Sequence, residues 1–188
     1  MLRIIGGQAR GCRLLQLPPR SGSRPTTDRI KEALFNILPS MDGIRFLDLF
    51  AGTGNVGLEA MSRGADEVCF VENNPVMIGL LRKNIEKCNF NKGYEVLPFS
   101  VEKAIRLLRE RNRTFDIIFS DPPYEEGWVE KGLKFIWEGN IFSNDPLIVI
   151  QHSVREPLAD DPENFRVADQ RKYGDTFISI LTRSVIGH

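Results

Sequence analysis

From residue 44 onward, short apolar runs alternate with longer segments in which apolar residues recur every three or four positions. The short runs predict strands, and the three-to-four spacing predicts helices. Strands are predicted at 44–50, 67–72, 94–98, 115–120 and 146–151, and helices near 55–63, 75–89, 101–112 and 127–138. Apolar strands that alternate with helices indicate an α/β fold, with a mostly parallel sheet covered on both faces.

The two ends of the chain add antiparallel structure to this pattern. Strands predicted at 164–172 and 176–183 flank a stretch, Tyr173-Gly174-Asp175-Thr176, that is typical of a hairpin turn. These two strands bring the predicted sheet to seven and place an antiparallel strand near its edge. Residues 2–17 alternate loosely between apolar and polar, which predicts a β-hairpin, and Pro18-Pro19 begins a connector after it. The predicted N-terminal arm spans 1–22. A first helix is predicted at 26–39, with Thr26 or Thr27 as its N-cap.

Composition sets the size and class of the protein. A chain of 188 residues that is 41% hydrophobic and 27% charged is ordinary for one globular domain. We therefore expect a single domain, 1–188, with the hairpin as an arm, the first helix, and a Rossmann-like core at 44–188. No apolar run approaches the ~20 residues of a membrane span, and the first residues lack the pattern of a signal peptide. A cytoplasmic protein with no membrane partner is expected.

Cysteine and histidine usage predicts neither a disulfide framework nor a metal site. Cys12, Cys69 and Cys88 are odd in number and contain no C-x-x-C pair, so all three are expected to be reduced, with Cys69 buried in a strand. His152 is expected to make a structural hydrogen bond rather than to act in catalysis.

Charge is balanced over the chain but unevenly distributed. Residues 1–45 contain eight basic and three acidic side chains, an excess of five positive charges, whereas the whole chain has a net charge of zero. A basic arm on an acidic remainder favours a polyanionic partner, and the alternative is a solvated charged surface.

The stretch Phe46–Gly57, which reads Phe-Leu-Asp-Leu-Phe-Ala-Gly-Thr-Gly-Asn-Val-Gly, predicts a strand, a tight glycine turn and a helix start. Glycines there allow positive φ and close approach of a ligand, and helix N–H groups face the same space. The spacing also matches the dinucleotide-binding G-x-G-x-x-G. An acid at Asp48 would repel a pyrophosphate but suits an ammonium, so a methyltransferase using S-adenosylmethionine and a dehydrogenase both remain candidates at this point.

Two other strand ends should supply the rest of a cofactor site. Glu72 closes the second strand, where its carboxylate could accept hydrogen bonds from both ribose hydroxyls, and the alternative is a helix-capping acid. Ser100 follows the third strand and could contact an adenine. Ligands of open parallel sheets bind beyond the carboxyl ends of the strands.

The stretch Asp121-Pro122-Pro123-Tyr124, hereafter the acceptor loop, follows a buried strand and favours the methyltransferase. Consecutive prolines fix φ and remove two N–H donors, so this loop presents oxygen acceptors. Asp121 and a backbone carbonyl of Ser120 or Pro122 could accept hydrogen bonds from the two N–H groups of a base amine. Tyr124 could stack on the base. The alternative is a Pro-Pro turn with a capping Asp and a packing Tyr. A hydride-transfer enzyme has no use for such a loop.

With these residues in view, the sequence resembles the RsmD family of bacterial 16S rRNA guanine-N2 methyltransferases. The resemblance spans essentially the whole chain and includes Arg3-Ile4-Ile5-Gly6-Gly7, Arg24-Pro25-Thr26-Thr27-Asp28-Arg29, Leu47 to Gly54, Glu72 and the acceptor loop. The Arg-Pro-Thr-Thr-Asp-Arg stretch is the most specific of these. The sequence departs from the family at Cys12, Ser100 and Gln151.

The resemblance implies a class I methyltransferase fold and methyl transfer from S-adenosylmethionine to N2 of guanine 966 in 16S rRNA, on the small ribosomal subunit or a late assembly intermediate. A monomer that needs no metal is expected. The cofactor-binding residues that the resemblance implies are Asp48, Phe50, Ala51, Gly52, Gly54, Glu72, Asn73, Ser100 and Asp121, and the catalytic residues are Asp121, Pro122, Pro123 and Tyr124. The implied RNA contacts are Arg3, Arg10, Arg13, Arg24, Thr26 and Arg29.

Two other functions remain open at this stage. The acceptor loop also suits a DNA methyltransferase acting on adenine N6 or cytosine N4, although no target-recognition domain is evident. A non-catalytic ribosome-assembly factor that keeps only cofactor binding is the second alternative.

Overall fold

The computed structural model describes residues 2–17, 28–159 and 164–184. The helices are α1 (Asp28–Ile37), α2 (Asn55–Ser62), α3 (Pro75–Lys87), α4 (Val101–Glu110) and α5 (Trp128–Gly139). The strands are β1 (Arg45–Asp48), β2 (Glu67–Val71), β3 (Tyr94–Leu97), β4 (Phe115–Ser120), β5 (Phe142–Ser153), β6 (Phe165–Tyr173) and β7 (Thr176–Arg183).

The predicted α/β fold is confirmed. The strands form a seven-stranded sheet in the order β3-β2-β1-β4-β5-β7-β6. β1, β2 and β3 pair in parallel, as do β4 and β5, whereas β7 is antiparallel to both β5 and β6. The predicted hairpin turn lies where expected, since Tyr173 pairs with Thr176 across Gly174 and Asp175. Within the described residues, every helix is too short or too polar to cross a membrane.

Contacts divide the chain into two compact units, 1–98 and 99–188. In the first unit, β1 and β2 are buried beyond their first residues and pack against α2, which is itself buried along its length. Gly57 makes this packing possible, because a Cβ at that position would lie 2.3 Å from the ring of Phe70 on β2. The core of this unit therefore lies directly beneath the turn that joins β1 to α2.

Residues 2–17 form the predicted hairpin, which we call the N-terminal arm. Its strands are held by an Arg3–Arg13 bridge and by hydrogen bonds such as Ile4 N–H to Cys12 O at 2.9 Å. The arm is attached to α2 through Glu59, whose carboxylate accepts from the N–H groups of Ile5 and Gly6 at 2.8 Å each. The arm is thus a docked element of the first unit.

A buried ion pair fixes α1 to the same place. The side chains of Lys31 and Glu59 are both fully buried, with Nζ 3.2 Å from Oε2. Lys31 Nζ also donates to the Arg3 carbonyl at 2.6 Å and to Asn55 Oδ1 at 2.7 Å. Burial lowers the pKa of Lys31 from its ordinary value, although Glu59 acts in the opposite direction. A buried pair of this kind adds little net stability, but removal of either partner would leave an unpaired buried charge.

The expectation of three reduced cysteines is wrong for two of them. Cys12 in the arm and Cys88 at the end of α3 form a disulfide, with Cα atoms 5.9 Å apart and a separation of 76 positions in sequence. The spacing of cysteines along the chain does not reveal this pair, because only the docking of the arm brings residue 12 to α3. Cys69 is a free thiol buried in β2, as predicted.

The second unit, 99–188, is built on β4 to β7. β5 begins at Phe142, four residues earlier than predicted, and its register with β4 shifts between the pairs Phe115–Phe142 and Ile117–Leu147. Five steps along β5 therefore face two along β4, and the bulge contains Pro146, which has no N–H to donate to the ladder. Stacked and edge-on contacts join Trp137, Phe142 and Phe165 beside it.

His152 lies within β5 and makes the structural hydrogen bonds predicted for it. It is fully buried, its Nδ1 lies 2.9 Å from the Glu156 carbonyl, and its Nε2 lies 2.8 Å from Ser179 Oγ. A carbonyl only accepts, so the proton of the neutral ring is on Nδ1 and the serine hydroxyl donates to Nε2. Burial lowers the pKa of His152 from its ordinary value of 6.5.

Within the described residues, α1 runs from Asp28 to Ile37, so it ends two residues before the predicted end at 39, and its predicted start at 26 is not described. Its predicted N-cap, Thr26 or Thr27, lies outside the described residues.

Candidate functional site

The loop between β1 and α2, residues 50–54, adopts the predicted glycine turn, and we call it the glycine loop. Gly52 and Gly54 have φ values of 54° and 86°, and α2 begins at the next residue, Asn55. The turn closes through Gly54 N–H to Ala51 O at 2.7 Å, and Ala51 N–H donates to Val71 O on β2 at 3.0 Å. A Cβ at Gly52 would have no described atom within 4 Å, so this backbone faces open space that a ligand can enter.

Asp48 ends β1 beneath this loop. Its carboxylate is 1% exposed, and Oδ2 accepts from Gly57 N–H at 3.1 Å. This bond satisfies an N–H in the first turn of α2 and favours a role in shaping the loop. Asp48 therefore supplies negative charge from below the loop rather than from its surface.

Glu72 follows β2 and is held by backbone N–H groups. Its Oε1 accepts from Asn73 N–H at 2.9 Å and from Asn74 N–H at 2.8 Å, and its Oε2 accepts from Gly52 N–H at 2.8 Å. A carboxylate has about four acceptor positions, so one on Oε2 is left beyond these three bonds for a hydroxyl group. The carboxylate is fixed in direction before any ligand arrives, and it links the glycine loop to the end of β2.

The residues after Glu72 begin α3. Asn74, rather than Glu72, is the N-cap, since its Oδ1 accepts from Val76 N–H at 2.9 Å and from Met77 N–H at 3.3 Å. The predicted cofactor residue Asn73 is exposed beside it, Phe50 is partly buried and Ala51 is buried. The predicted cofactor residues of the first unit thus lie in the glycine loop or at the ends of β1 and β2.

Asn84 on α3 is a loop-supporting residue that sequence reasoning did not single out. Its side chain is fully buried and donates from Nδ2 to Thr53 O, in the middle of the glycine loop, at 2.9 Å. The same amide pairs with Leu15 of the N-terminal arm through Leu15 N–H to Oδ1 at 2.7 Å and Nδ2 to Leu15 O at 3.0 Å. The one signal in the sequence is that Asn84 is a polar residue on the apolar side of a predicted helix.

In the second unit, the acceptor loop directly follows β4. Ser120 and Pro122 are buried, Asp121 is partly buried and Pro123 is exposed. The Tyr124 hydroxyl lies 3.3 Å from Thr176 Oγ1 and accepts from Gln151 Nε2 at 3.4 Å. These contacts fix one end of the tyrosine side chain, and its stacking on a base stays a prediction.

The chain leaving the acceptor loop is held by a second acid. Glu125 has a positive φ of 61°, and its N–H donates to Glu156 Oε2 at 2.8 Å. Arg155 Nη1 lies 3.6 Å from Glu125 Oε1. A non-glycine residue in this conformation is uncommon, and these contacts stabilise the exit of the rigid loop.

Ser100 caps α4. Its Oγ accepts from Lys103 N–H at 3.4 Å, and the residue is exposed. This capping bond leaves the hydroxyl proton available to a ligand, and the predicted adenine contact remains a prediction.

The predicted RNA-binding arginines that the structure describes are Arg3, Arg10, Arg13 and Arg29, and all four are exposed. Arg3 forms an ion pair with Asp28, with Nε 3.3 Å from Oδ2. Arg24 and Thr26 lie outside the described residues.

Comparisons with known proteins identify relatives of this chain. Residues 2–182 match the model of the family described as conserved hypothetical protein 95. The chain is 32% identical to ribosomal RNA small subunit methyltransferase D of Escherichia coli K12 over 187 residues, which cover 99% of this chain and 92% of that protein.

Solved structures show the same fold. A hypothetical protein of Thermus thermophilus superposes with a TM-score of 0.81 at 30% identity, covering 96% of this chain and 98% of that one. SMU.776, solved in complex with S-adenosylhomocysteine, superposes with a TM-score of 0.70 at 16% identity over 82% of this chain and 48% of its own. The second likeness shows the fold alone.

Proposed function

Since the chain belongs to the RsmD family, we propose that it transfers a methyl group from S-adenosylmethionine to the exocyclic N2 amine of a guanine in 16S rRNA, at the position equivalent to guanine 966. The family is one of ribosomal RNA methyltransferases that use S-adenosylmethionine. What we propose beyond this activity is the methylated base, its N2 atom and its position in 16S rRNA.

The observation that carries the proposal is the acid-lined glycine loop. Asp48 lies below the loop, which holds the pyrophosphate in a dinucleotide site, and Glu72 lies beside it, in the place of a ribose-binding acid. S-adenosylmethionine has an ammonium group and ribose hydroxyls but no phosphate, so these acids suit it. Gly52 presents bare backbone toward open space, and the remaining acceptor position of Glu72 Oε2 would take a ribose hydroxyl.

When bound, S-adenosylmethionine supplies a methyl group on a sulfonium sulfur, which departs as a neutral thioether. The protein has to make a poor nucleophile attack it, since the lone pair of a guanine amine is delocalised into the ring. In our proposal, Asp121 and the backbone oxygen of Ser120 or Pro122 accept hydrogen bonds from the two N–H groups of the amine. These bonds favour a pyramidal nitrogen. Positioning of this kind accounts for most of the expected rate gain.

Asp121 need not be a strong base in this scheme. Nitrogen becomes cationic as the N–C bond forms, and it then loses a proton readily to Asp121 or to water. The prolines keep the acceptor oxygens in place, because they fix φ at two consecutive positions. The hydroxyl contacts of Tyr124 set the position of the ring that we propose stacks on the guanine.

We propose that the N-terminal arm and α1 bind the RNA backbone. Arg10 and Arg13 are exposed, and the arm is firmly attached to α2, so the two cations are presented from a fixed support. The substrate in this proposal is the small ribosomal subunit or a late assembly intermediate, and the protein acts as a monomer in the cytoplasm.

The proposal is tested by incubating the protein with methyl-labelled S-adenosylmethionine and, in separate reactions, small ribosomal subunits lacking the modification or duplex DNA. Label is expected in 16S rRNA alone. Label in DNA alone would identify a DNA amino-methyltransferase. Cofactor binding without transfer to either would leave an assembly factor as the better description.

A further inference from the structure

We propose that Asn84 is a positioning residue that couples the N-terminal arm to the glycine loop, so that docking of the arm and binding of the cofactor strengthen each other. The inference rests on the proposed function, since it takes the glycine loop as the S-adenosylmethionine site and the arm as an RNA-binding element. It adds a route by which the RNA side of the protein affects the cofactor side.

The route begins at a side chain whose two N–H donors are both used. Asn84 is fully buried, and its amide makes three bonds, two to the backbone of Leu15 and one to the carbonyl of Thr53. With the backbone of Leu15 it forms the paired bonds that a neighbouring β-strand would form. One planar amide therefore sets the position of the arm and of the loop together.

The bond to Thr53 acts on the peptide that determines the shape of the glycine loop. That peptide joins Thr53 to Gly54, and its N–H donates to Ala51 O at 2.7 Å while its carbonyl accepts from Asn84 at 2.9 Å. Both ends of the peptide are thus held, and Gly54 is the residue that leads into α2. If Asn84 moved with the arm, the Thr53 carbonyl would lose its partner and the loop would be free to take other conformations.

The arm has few ways to move without affecting Asn84. Its turn packs tightly on α2, because a Cβ at Gly7 would lie 1.7 Å from Ser62 O. The Ser62 hydroxyl donates to Gly6 O at 2.6 Å and accepts from Ala9 N–H at 2.9 Å. At the far end of the arm, the Cys12–Cys88 disulfide and the bonds between Leu15 and Asn84 complete the attachment.

The test uses Gly7→Ala to displace the arm without altering any residue of the glycine loop. Affinity for S-adenosylhomocysteine is measured by calorimetry in the full-length protein, in Gly7→Ala, in Asn84→Ala and in the double variant. Gly7→Ala is expected to weaken binding about tenfold in the wild-type background, within the usual range of coupling between sites. In the Asn84→Ala background the same change is expected to weaken binding less than threefold, because the link is already lost.

Two matched controls separate displacement from strain. Gly11→Ala, also in the arm, strains the backbone because φ there is 88°, but its Cβ would meet no described atom within 4 Å. It should leave the affinity for S-adenosylhomocysteine within twofold. Lys83→Ala alters the exposed neighbour of Asn84 and should do the same. If Gly7→Ala does not fold, Ser62→Ala removes the hydroxyl bonds of the arm and replaces it in the cycle.

Hydrogen exchange supplies a readout that a merely structural role for Asn84 would not change. S-adenosylhomocysteine should slow exchange at the amides of Ile5, Gly6 and Leu15 in the wild type, and this protection should disappear in Asn84→Ala. Equal fold-changes for Gly7→Ala in both backgrounds, or protection that survives in Asn84→Ala, would overturn the coupling but not the cofactor site. Failure of the unaltered protein to bind S-adenosylhomocysteine would overturn both.

Discussion

The N–H of Gly52 donates to Glu72 Oε2 at 2.8 Å, which joins the glycine loop to the acid that follows the neighbouring strand. Twenty residues separate the two in sequence, and β1 and β2 pair in parallel between them. The same carboxylate also accepts from Asn73 and Asn74. One side chain thus holds the loop and, in our proposal, also binds the cofactor.

Glu72→Gln should therefore weaken cofactor binding at least tenfold. A Gln amide presents N–H donors to backbone N–H donors, and a charge-assisted bond contributes about 1.5 to 3 kcal/mol. Calorimetry with S-adenosylhomocysteine measures the change, and Glu86→Gln, an exposed acid on α3, is the control. An unaltered affinity would remove Glu72 from the proposed cofactor site.

Asp121→Asn should lower the methyl-transfer rate at saturating substrates by about 100-fold or more, the effect typical of removing one preorganised polar contact. Affinity for S-adenosylhomocysteine should change by less than about threefold, because the acid acts on the amine. Asp145→Asn, an exposed acid in the same unit, is the control. Equal loss of binding and rate would assign Asp121 to the cofactor instead.

Arg10→Ala combined with Arg13→Ala should weaken binding of small subunits and flatten its salt dependence. Each lost phosphate contact reduces the slope of log K against log salt by roughly 0.7 to 0.9. Arg106→Ala with Arg109→Ala, two exposed arginines on α4, is the control pair. If both pairs have the same small effect, the arm arginines serve only as surface charge.

Stability should fall on acidification because His152 is buried in its neutral form. Its folded-state pKa is lowered, so the unfolded chain binds the proton more readily as the pH drops below about 6.5. The stabilisation is present above that pH and is lost as the pH falls through the folded-state pKa. Urea unfolding of the wild type and of His152→Gln from pH 7.5 to pH 5 should show their difference in unfolding free energy narrowing, and a constant difference would contradict this.

Local pattern was enough to predict the sheet, its helices and the glycine turn. Alternating apolar runs and glycines at Gly52 and Gly54 have few structural solutions, and the structure follows them to within a few residues. The acceptor loop was also evident, because two prolines after a buried strand restrict the backbone. The strands, the helices and both loops are determined mainly by residues that are close together in sequence.

What the pattern did not predict depends on contacts between distant segments. The Cys12–Cys88 disulfide, the buried Lys31–Glu59 pair and the bonds of Asn84 all form where the arm or α1 meets the rest of the first unit. A lysine or asparagine on a helix gives no sign of its partner until that packing is known. The early start of β5 likewise reflects pairing with β4 across a bulge that contains Pro146.

The central claim is tested most directly by the chemical identity of the methylated nucleoside. Small subunits lacking the modification are incubated with the protein and S-adenosylmethionine, the 16S rRNA is digested to nucleosides, and the products are separated and identified by mass spectrometry. The account predicts N2-methylguanosine, at about one per subunit, formed about 100-fold more slowly or slower still with Asp121→Asn. A methylated adenosine or cytidine, or a guanosine methylated at a ring atom, would contradict it.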